Sequence, residues 1–187
     1  MVLPLTLAVH RRDTVTLENS MGSVSCDADR RWNPTPIHTL DAFDFSLVPS
    51  LSKAQIMALA EGDAWLGAGH NLLAFGPPGA GKSHIAAGLG DELIRRGCRV
   101  LFTRTTDLVQ RLQAARQALN LASEITKLDR FDLLILDDLS YARKDQAETS
   151  VLFELISARY ERRSIMITAN QPFSGWDVVF PDKAMTA

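Results

Sequence analysis

Gly76-Pro77-Pro78-Gly79-Ala80-Gly81-Lys82-Ser83 constrains this chain more than any other stretch of it. The run fits G-x-x-x-x-G-K-[ST], a loop that wraps phosphate. Glycines allow left-handed backbone angles, so successive N–H groups can point into one concavity. A helix following such a loop adds its own N–H groups and the positive end of its dipole. Lys82 then reaches the β- and γ-phosphates of a nucleotide, Ser83 holds Mg2+, and His84 extends the cradle into the helix. The context is right for this chemistry. Asn71 to Phe75 reads as a buried strand, and Lys82 to Arg96 as a helix ending at Gly97. A plain Gly/Pro turn requires neither.

Strand and helix alternate from there on. Strands are expected at 71–75, 99–104, 132–137 and 164–169, with helices near 82–96, 107–119, 121–129 and 146–162. Asp107 and Gln110 are spaced as a capping box. An earlier helix falls within Leu47–Ala60 and starts at Ser50 or Ser52. Strands that are apolar almost throughout are buried on both faces, as in parallel sheets, so the fold class is a three-layer α/β/α domain. Residues 1–38 carry turn and linker chemistry, such as Asn33-Pro34-Thr35-Pro36, and read as a weakly ordered arm before a domain at 39–187. The chain has 187 residues, 46% hydrophobic and 22% charged, enough for one core. A net charge of −2 advertises no global affinity for nucleic acid. Cys26 and Cys98 are isolated thiols without metal spacing, which suits a reducing, cytoplasmic setting. Val2–Val9 is short, contains Pro4 and lacks a basic flank, so it is not read as a signal peptide. No run approaches the ~18 apolar residues of a membrane helix.

Two further motifs carry chemistry. Leu133-Leu134-Ile135-Leu136-Asp137-Asp138 is an apolar strand ending in two carboxylates. A Mg2+ held by Ser83 needs a carboxylate opposite, which Asp137 supplies. Asp138 then stands where it can orient or deprotonate an attacking water. Alone, a strand ending in Asp-Asp more often marks a capping Asp at the next element; the phosphate loop upstream favours the metal. Asn170 ends the last strand, and ligands of such sheets bind at the carboxyl ends of strands. It reads as a sensor of the γ-phosphate or water, or else as a turn Asn before Gln171-Pro172. His70 and His84 are not read as metal ligands. Gly88 and Gly90 cost helix stability and imply close packing on the sheet. Trp65 and Trp176 are candidate core or interface anchors, and Phe43 or Phe45 a border to adenine.

Taken together, Gly76–Ser83, Leu133–Asp138, Ile167-Thr168-Ala169-Asn170, Thr39–Phe45 and Leu155–Ser164 resemble the IstB-like ATPases, AAA+ helper proteins of insertion-sequence transposases related to the DnaC helicase loaders. The resemblance spans about residues 38–187. It implies an AAA+ sheet of order 5-1-4-3-2, ATP and Mg2+ as cofactors, and Asn170 as sensor 1. The implied function is ATP-dependent assembly as a homo-oligomer on double-stranded DNA, stimulating a partner transposase in DNA transposition. The alternatives are a helicase loader that acts on a replicative helicase, and a degenerate copy that binds nucleotide without activity.

The chain departs from this family after Phe180–Ala187, where a fifth strand and a helix with the arginine finger are expected. It therefore resembles a C-terminally truncated copy. Loss of strand 5 would leave the strand at 71–75 as a bare edge. Loss of the arginine would leave ATP–Mg2+ binding with poor turnover. Arg104, Arg111, Arg116, Lys127 and Arg130 lie in the region that faces nucleic acid in AAA+ initiators and loaders. The same residues also read, more simply, as a solvated helical face. Arg159, Arg162 and Arg163 suit a helix C-terminus, or else a subunit interface.

Overall fold

The computed structural model describes residues 5–9, 13–17, 39–48, 51–62, 64–139 and 145–171. Four strands form its parallel centre: β3 (Leu72–Phe75), β4 (Val100–Arg104), β5 (Leu133–Asp137) and β6 (Ser164–Ala169). Their spatial order is β3-β6-β5-β4, the 1-4-3-2 arrangement implied by the resemblance. Apart from one or two terminal residues, these are the expected strands.

The expected bare edge is not bare. β1 (Leu5–Val9) pairs antiparallel with β3, from Thr6 opposite Phe75 to Val9 opposite Leu72. β2 (Asp13–Leu17) pairs in turn with β1. Two five-residue strands of the stretch read as a weakly ordered arm thus form a hairpin on the sheet. Its signal was present in the alternation of Thr14-Val15-Thr16-Leu17 across a short connection from another β-prone run. The remainder of residues 1–38 lies outside the described residues, as do Ser50, Trp176 and everything beyond Gln171.

Helices cover both faces of the sheet because its strands alternate between two cores. Leu133 and Ile135 of β5 join Leu72, Met166, Ile85, Leu89, Leu93 and Ile56 on one face. Leu134 and Leu136 join Ile165, Ile167, Leu108, Leu112 and Leu155 on the other. The first face belongs to α1 (Lys53–Glu61) and α2 (Lys82–Arg95), the second to α3 (Thr105–Gln117), α4 (Leu121–Leu128) and α5 (Gln146–Arg159). Trp65 is buried in the first core and donates its indole N–H to Leu59 O at 2.8 Å.

Local rules explain where the helices start. Ser52 caps α1 through Gln55 N–H at 3.3 Å, so the helix is shorter than Leu47–Ala60 suggested; a 3-10 turn at Phe45–Leu47 precedes it. Asp107 does not cap α3. The helix starts two residues earlier, with Arg104 as N-cap, because Thr105 is buried and donates its hydroxyl to Asp137 O at 2.9 Å. A reciprocal capping box does occur at α5, between Asp145 and Glu148. Of the two helical glycines, Gly90 packs on the sheet, where a Cβ would stand 3.0 Å from Ile135 Cδ1. Gly88 instead meets the segment before α1, with Leu40 N only 2.9 Å from a Cβ.

Candidate nucleotide site

β3 ends at Phe75, and the loop from Gly76 crosses the carboxyl end of the sheet into α2. Gly79 (φ 80°) and Gly81 (φ 81°) adopt left-handed angles that side chains resist. Gly76 N–H donates to Ala169 O at 3.2 Å, fastening the loop to β6. Ala80 N–H donates to Pro77 O, also at 3.2 Å, turning the chain over Pro78. Gly81 is the N-cap of α2. The first-turn N–H groups, at Lys82, Ser83 and His84, therefore have no acceptor within the helix and face the loop with the positive dipole end.

Lys82 is 6% exposed, and its Nζ donates to Gly76 O and Pro77 O at 2.8 Å each. Burial pushes its pKa down, while the charges of Asp138 and Asp137 act to raise it. Carbonyl oxygens are weaker acceptors than phosphate oxygens, so an entering phosphate would replace neutral acceptors by charged ones.

Opposite Lys82, Ser83 Oγ donates to Asp137 Oδ1 at 2.8 Å and Oδ2 at 3.0 Å. A hydroxyl and a carboxylate within one hydrogen bond are the hard oxygen donors that Mg2+ takes together with nucleotide phosphates, so the residues present fit that ion. Asp138 follows with φ 61°, an angle that Asp tolerates better than most residues. Asn170 Nδ2 donates to Asp138 Oδ1 at 3.3 Å. The strands thus bring Lys82, Ser83, Asp137, Asp138 and Asn170 together at one end of the sheet.

Sequence reading missed Thr105 and Thr168. Thr168 is 1% exposed; it donates to Asp137 Oδ1 at 2.5 Å and accepts Asp138 N–H at 2.9 Å. Alternation along β6 was the available signal, because residues two apart share a face and Thr168 precedes Asn170 by two.

The other sequence-selected residues lie elsewhere. Phe43 is buried against Phe45 (4.9 Å between ring centroids) and His84 (5.2 Å). His84 Nε2 lies 3.0 Å from Thr39 O, a contact with the segment before α1. Arg104 is at the exit of β4, and Arg130 is exposed in the turn before β5. Arg111 is ion-paired with Glu124, which also takes Lys127 at 3.1 Å. Arg116 pairs with Glu154 and donates to Ser150 Oγ at 3.1 Å. Three of the five cations thus join helices to one another or brace α4.

This fold and site define a P-loop nucleotide-binding domain of the AAA+ type. A family model described as IstB-like ATP binding protein matches residues 30–187, and the chain belongs to that family. It is 71% identical over 151 residues to a putative insertion sequence ATP-binding protein of Sinorhizobium fredii, covering 81% of this chain and 51% of the relative. It is 35% identical over 149 residues to the insertion sequence IS21 putative ATP-binding protein of Pseudomonas aeruginosa, covering 80% and 56%. The chain thus spans about half the length of these curated relatives. Among solved structures, AMPPCP-bound DnaA from Aquifex aeolicus superposes with a TM-score of 0.68 at 20% identity, covering 81% of this chain and 47% of that one. The DnaC helicase loader superposes at 0.61 with 24% identity, covering 72% and 77%. Both likenesses concern the fold alone. No described helix is long and apolar enough to cross a membrane.

Proposed function

We propose that this chain binds ATP with Mg2+ and acts as the ATP-dependent helper of an insertion-sequence transposase, assembling with further copies on double-stranded DNA. The observation that carries the nucleotide reading is the meeting of Lys82, Ser83, Asp137, Asp138 and Asn170 at the carboxyl ends of the parallel strands. Family membership and the insertion-sequence relatives support the transposition role.

In this reading the loop N–H groups and Lys82 bind the β- and γ-phosphates, while Ser83 and Asp137 hold Mg2+. The ion would neutralise phosphate charge. Asp138, held by Asn170, orients the attacking water. Hydrolysis further requires a cation beside the γ-phosphate; such a group raises rates by roughly 10³–10⁵ in comparable NTPases.

Sizing by light scattering tests this directly, using the chain alone, with ATP–Mg2+, with duplex DNA, and with both. The expected result is a large species only when both are present. The same mass under all four conditions would overturn assembly. Failure of a fluorescent ATP analogue to bind would overturn the nucleotide reading itself.

A further inference from the structure

Thr168 sits between the two carboxylates of the site and touches both residues. Its hydroxyl has one proton to give, and Asp137 Oδ1 receives it at 2.5 Å. The Thr168 hydroxyl oxygen in turn accepts Asp138 N–H at 2.9 Å. The two bonds form a directed chain from the Asp138 amide through the hydroxyl to the Asp137 carboxylate. Each bond in such a chain polarises the next. Because the amide occupies an oxygen lone pair, the hydroxyl proton is left aimed at Asp137.

Each bond has its own consequence. The bond to Asp137 fixes the carboxylate plane, so that the same group also meets the Ser83 hydroxyl. The bond from Asp138 N–H holds the chain where Asp138 turns to φ 61° and leaves β5. The Asp138 side chain then meets Asn170, two residues beyond Thr168. Thr168 is 1% exposed, so no water replaces the hydroxyl once it is removed. Valine has the same shape but would leave a buried N–H unsatisfied and free the carboxylate to rotate.

We propose that Thr168 is the positioning residue of the metal site, its hydroxyl setting the Asp137 carboxylate for Mg2+ and fixing the left-handed turn at Asp138. This rests on the reading of Ser83 and Asp137 as the Mg2+ site. Groups that orient a metal ligand in this way typically change metal affinity by about 10–100-fold when removed.

The test titrates MgCl2 into the full chain with a fluorescent ATP analogue, comparing wild type, Thr168→Val and Thr168→Ser. Thr168→Val is expected to need at least about 10-fold more Mg2+, with nucleotide affinity in EDTA unchanged, and Thr168→Ser to restore the wild-type requirement. In the nucleotide-free wild-type chain, the Asp138 amide is expected to exchange with solvent deuterium at least about 10-fold more slowly than an unprotected amide. If wild-type binding does not depend on Mg2+, the metal reading fails first. If it does depend on Mg2+ and Thr168→Val titrates like wild type, or serine behaves like valine, the positioning role is overturned. Should Thr168→Val not fold, an Asp138 amide that exchanges without protection in the wild type overturns it as well.

Discussion

Asp132 stands at the entry of β5 and Asp137 at its exit, and the two ends handle the same side chain differently. At the entry, Asp132 receives Arg99 through Nε (3.1 Å), Nη2 (2.9 Å) and the backbone N–H (3.0 Å), and Arg163 at 2.7 Å. Nearby Asp129 is paired with Arg162 and lies 3.8 Å from Arg159. Arg159 is fully buried and donates to the carbonyls of Leu128, Phe131 and Ser164 at 2.9 Å each. At the exit, Asp137 is oriented by the hydroxyls of Ser83 and Thr168. Guanidinium groups spend the carboxylate charge inside the chain, whereas hydroxyls aim it and leave it for a cation. The entry end is therefore a structural knot, and in the proposed reading the exit end is the receiving site.

The largest expected effect comes from cutting the knot. Arg159→Leu leaves three buried carbonyls without their donor, and should cost about 3–5 kcal/mol in urea unfolding. Burial brings the Arg159 guanidinium down to about 10, so it remains charged at neutral pH and its removal is felt there. Nucleotide affinity of the folded fraction should stay as in wild type. A parallel loss of affinity would break the separation of the two ends.

The converse variant is Lys82→Ala. It removes the charge-assisted contacts to phosphate and should weaken binding of an ATP analogue by about 100-fold. Burial lowers the Lys82 pKa, so the electrostatic cost of its ammonium offsets the loss of its bonds to Gly76 O and Pro77 O, and the alanine variant should unfold close to the wild-type midpoint. Isothermal titration and urea unfolding on one preparation measure both halves. A marked loss of stability would make Lys82 part of the scaffold.

These two residues also show what the sequence could reveal. The position of Lys82 was legible because it is set by neighbours in the chain, glycines before and a helix after. Asp137 and Asp138 were legible because a buried strand must end in carboxylates to serve the loop. Arg159 was read as a helix-end cation or an interface residue. Its acceptors at Leu128 and Phe131 come from about one α/β unit earlier, and no local pattern points to them. Thr168 shares a face with Asn170 by alternation along β6, but its partners Asp137 and Asp138 belong to another part of the chain, about 30 residues earlier. Asp107 and Gln110 had the spacing of a cap, but a tertiary bond from Thr105 started the helix earlier.

A smaller effect would tell whether either end meets DNA. Arg111 and Arg116 already hold carboxylates, so reversing their charge would also disturb α4 and α5. Arg130 lies at the entry end and is exposed, which makes Arg130→Ala the cleaner variant. If it contacts a phosphate, duplex affinity should fall for every sequence and the slope of log K against log salt should drop by about 1. An unchanged slope would remove Arg130 from the interface and confine any contact to other residues, such as Arg104 at the exit end.

The smallest expected effect belongs to Asp132 and concerns pH. The hydrogen bond from the Arg99 side chain holds its carboxyl below the usual carboxylate range; burial opposes this, and the charges of Arg99 and Arg163 reinforce it. In the unfolded chain the group titrates near about 3.9. Its stabilisation is thus fully present above that value, and is lost as pH falls through the lower folded value. Asp132→Asn keeps the shape and one acceptor but removes the charge. It should be less stable than wild type at neutral pH, with the gap closing once the pH drops below about 4. Exposure of Arg99 keeps the gap modest, and salt should narrow it further. Urea midpoints of both proteins across the acid range, at low and high salt, measure it. A gap that ignores both pH and salt would mean that Asp132 acts through its hydrogen-bond geometry rather than its charge, and the entry end would then resemble the exit end more closely than its arginines suggest.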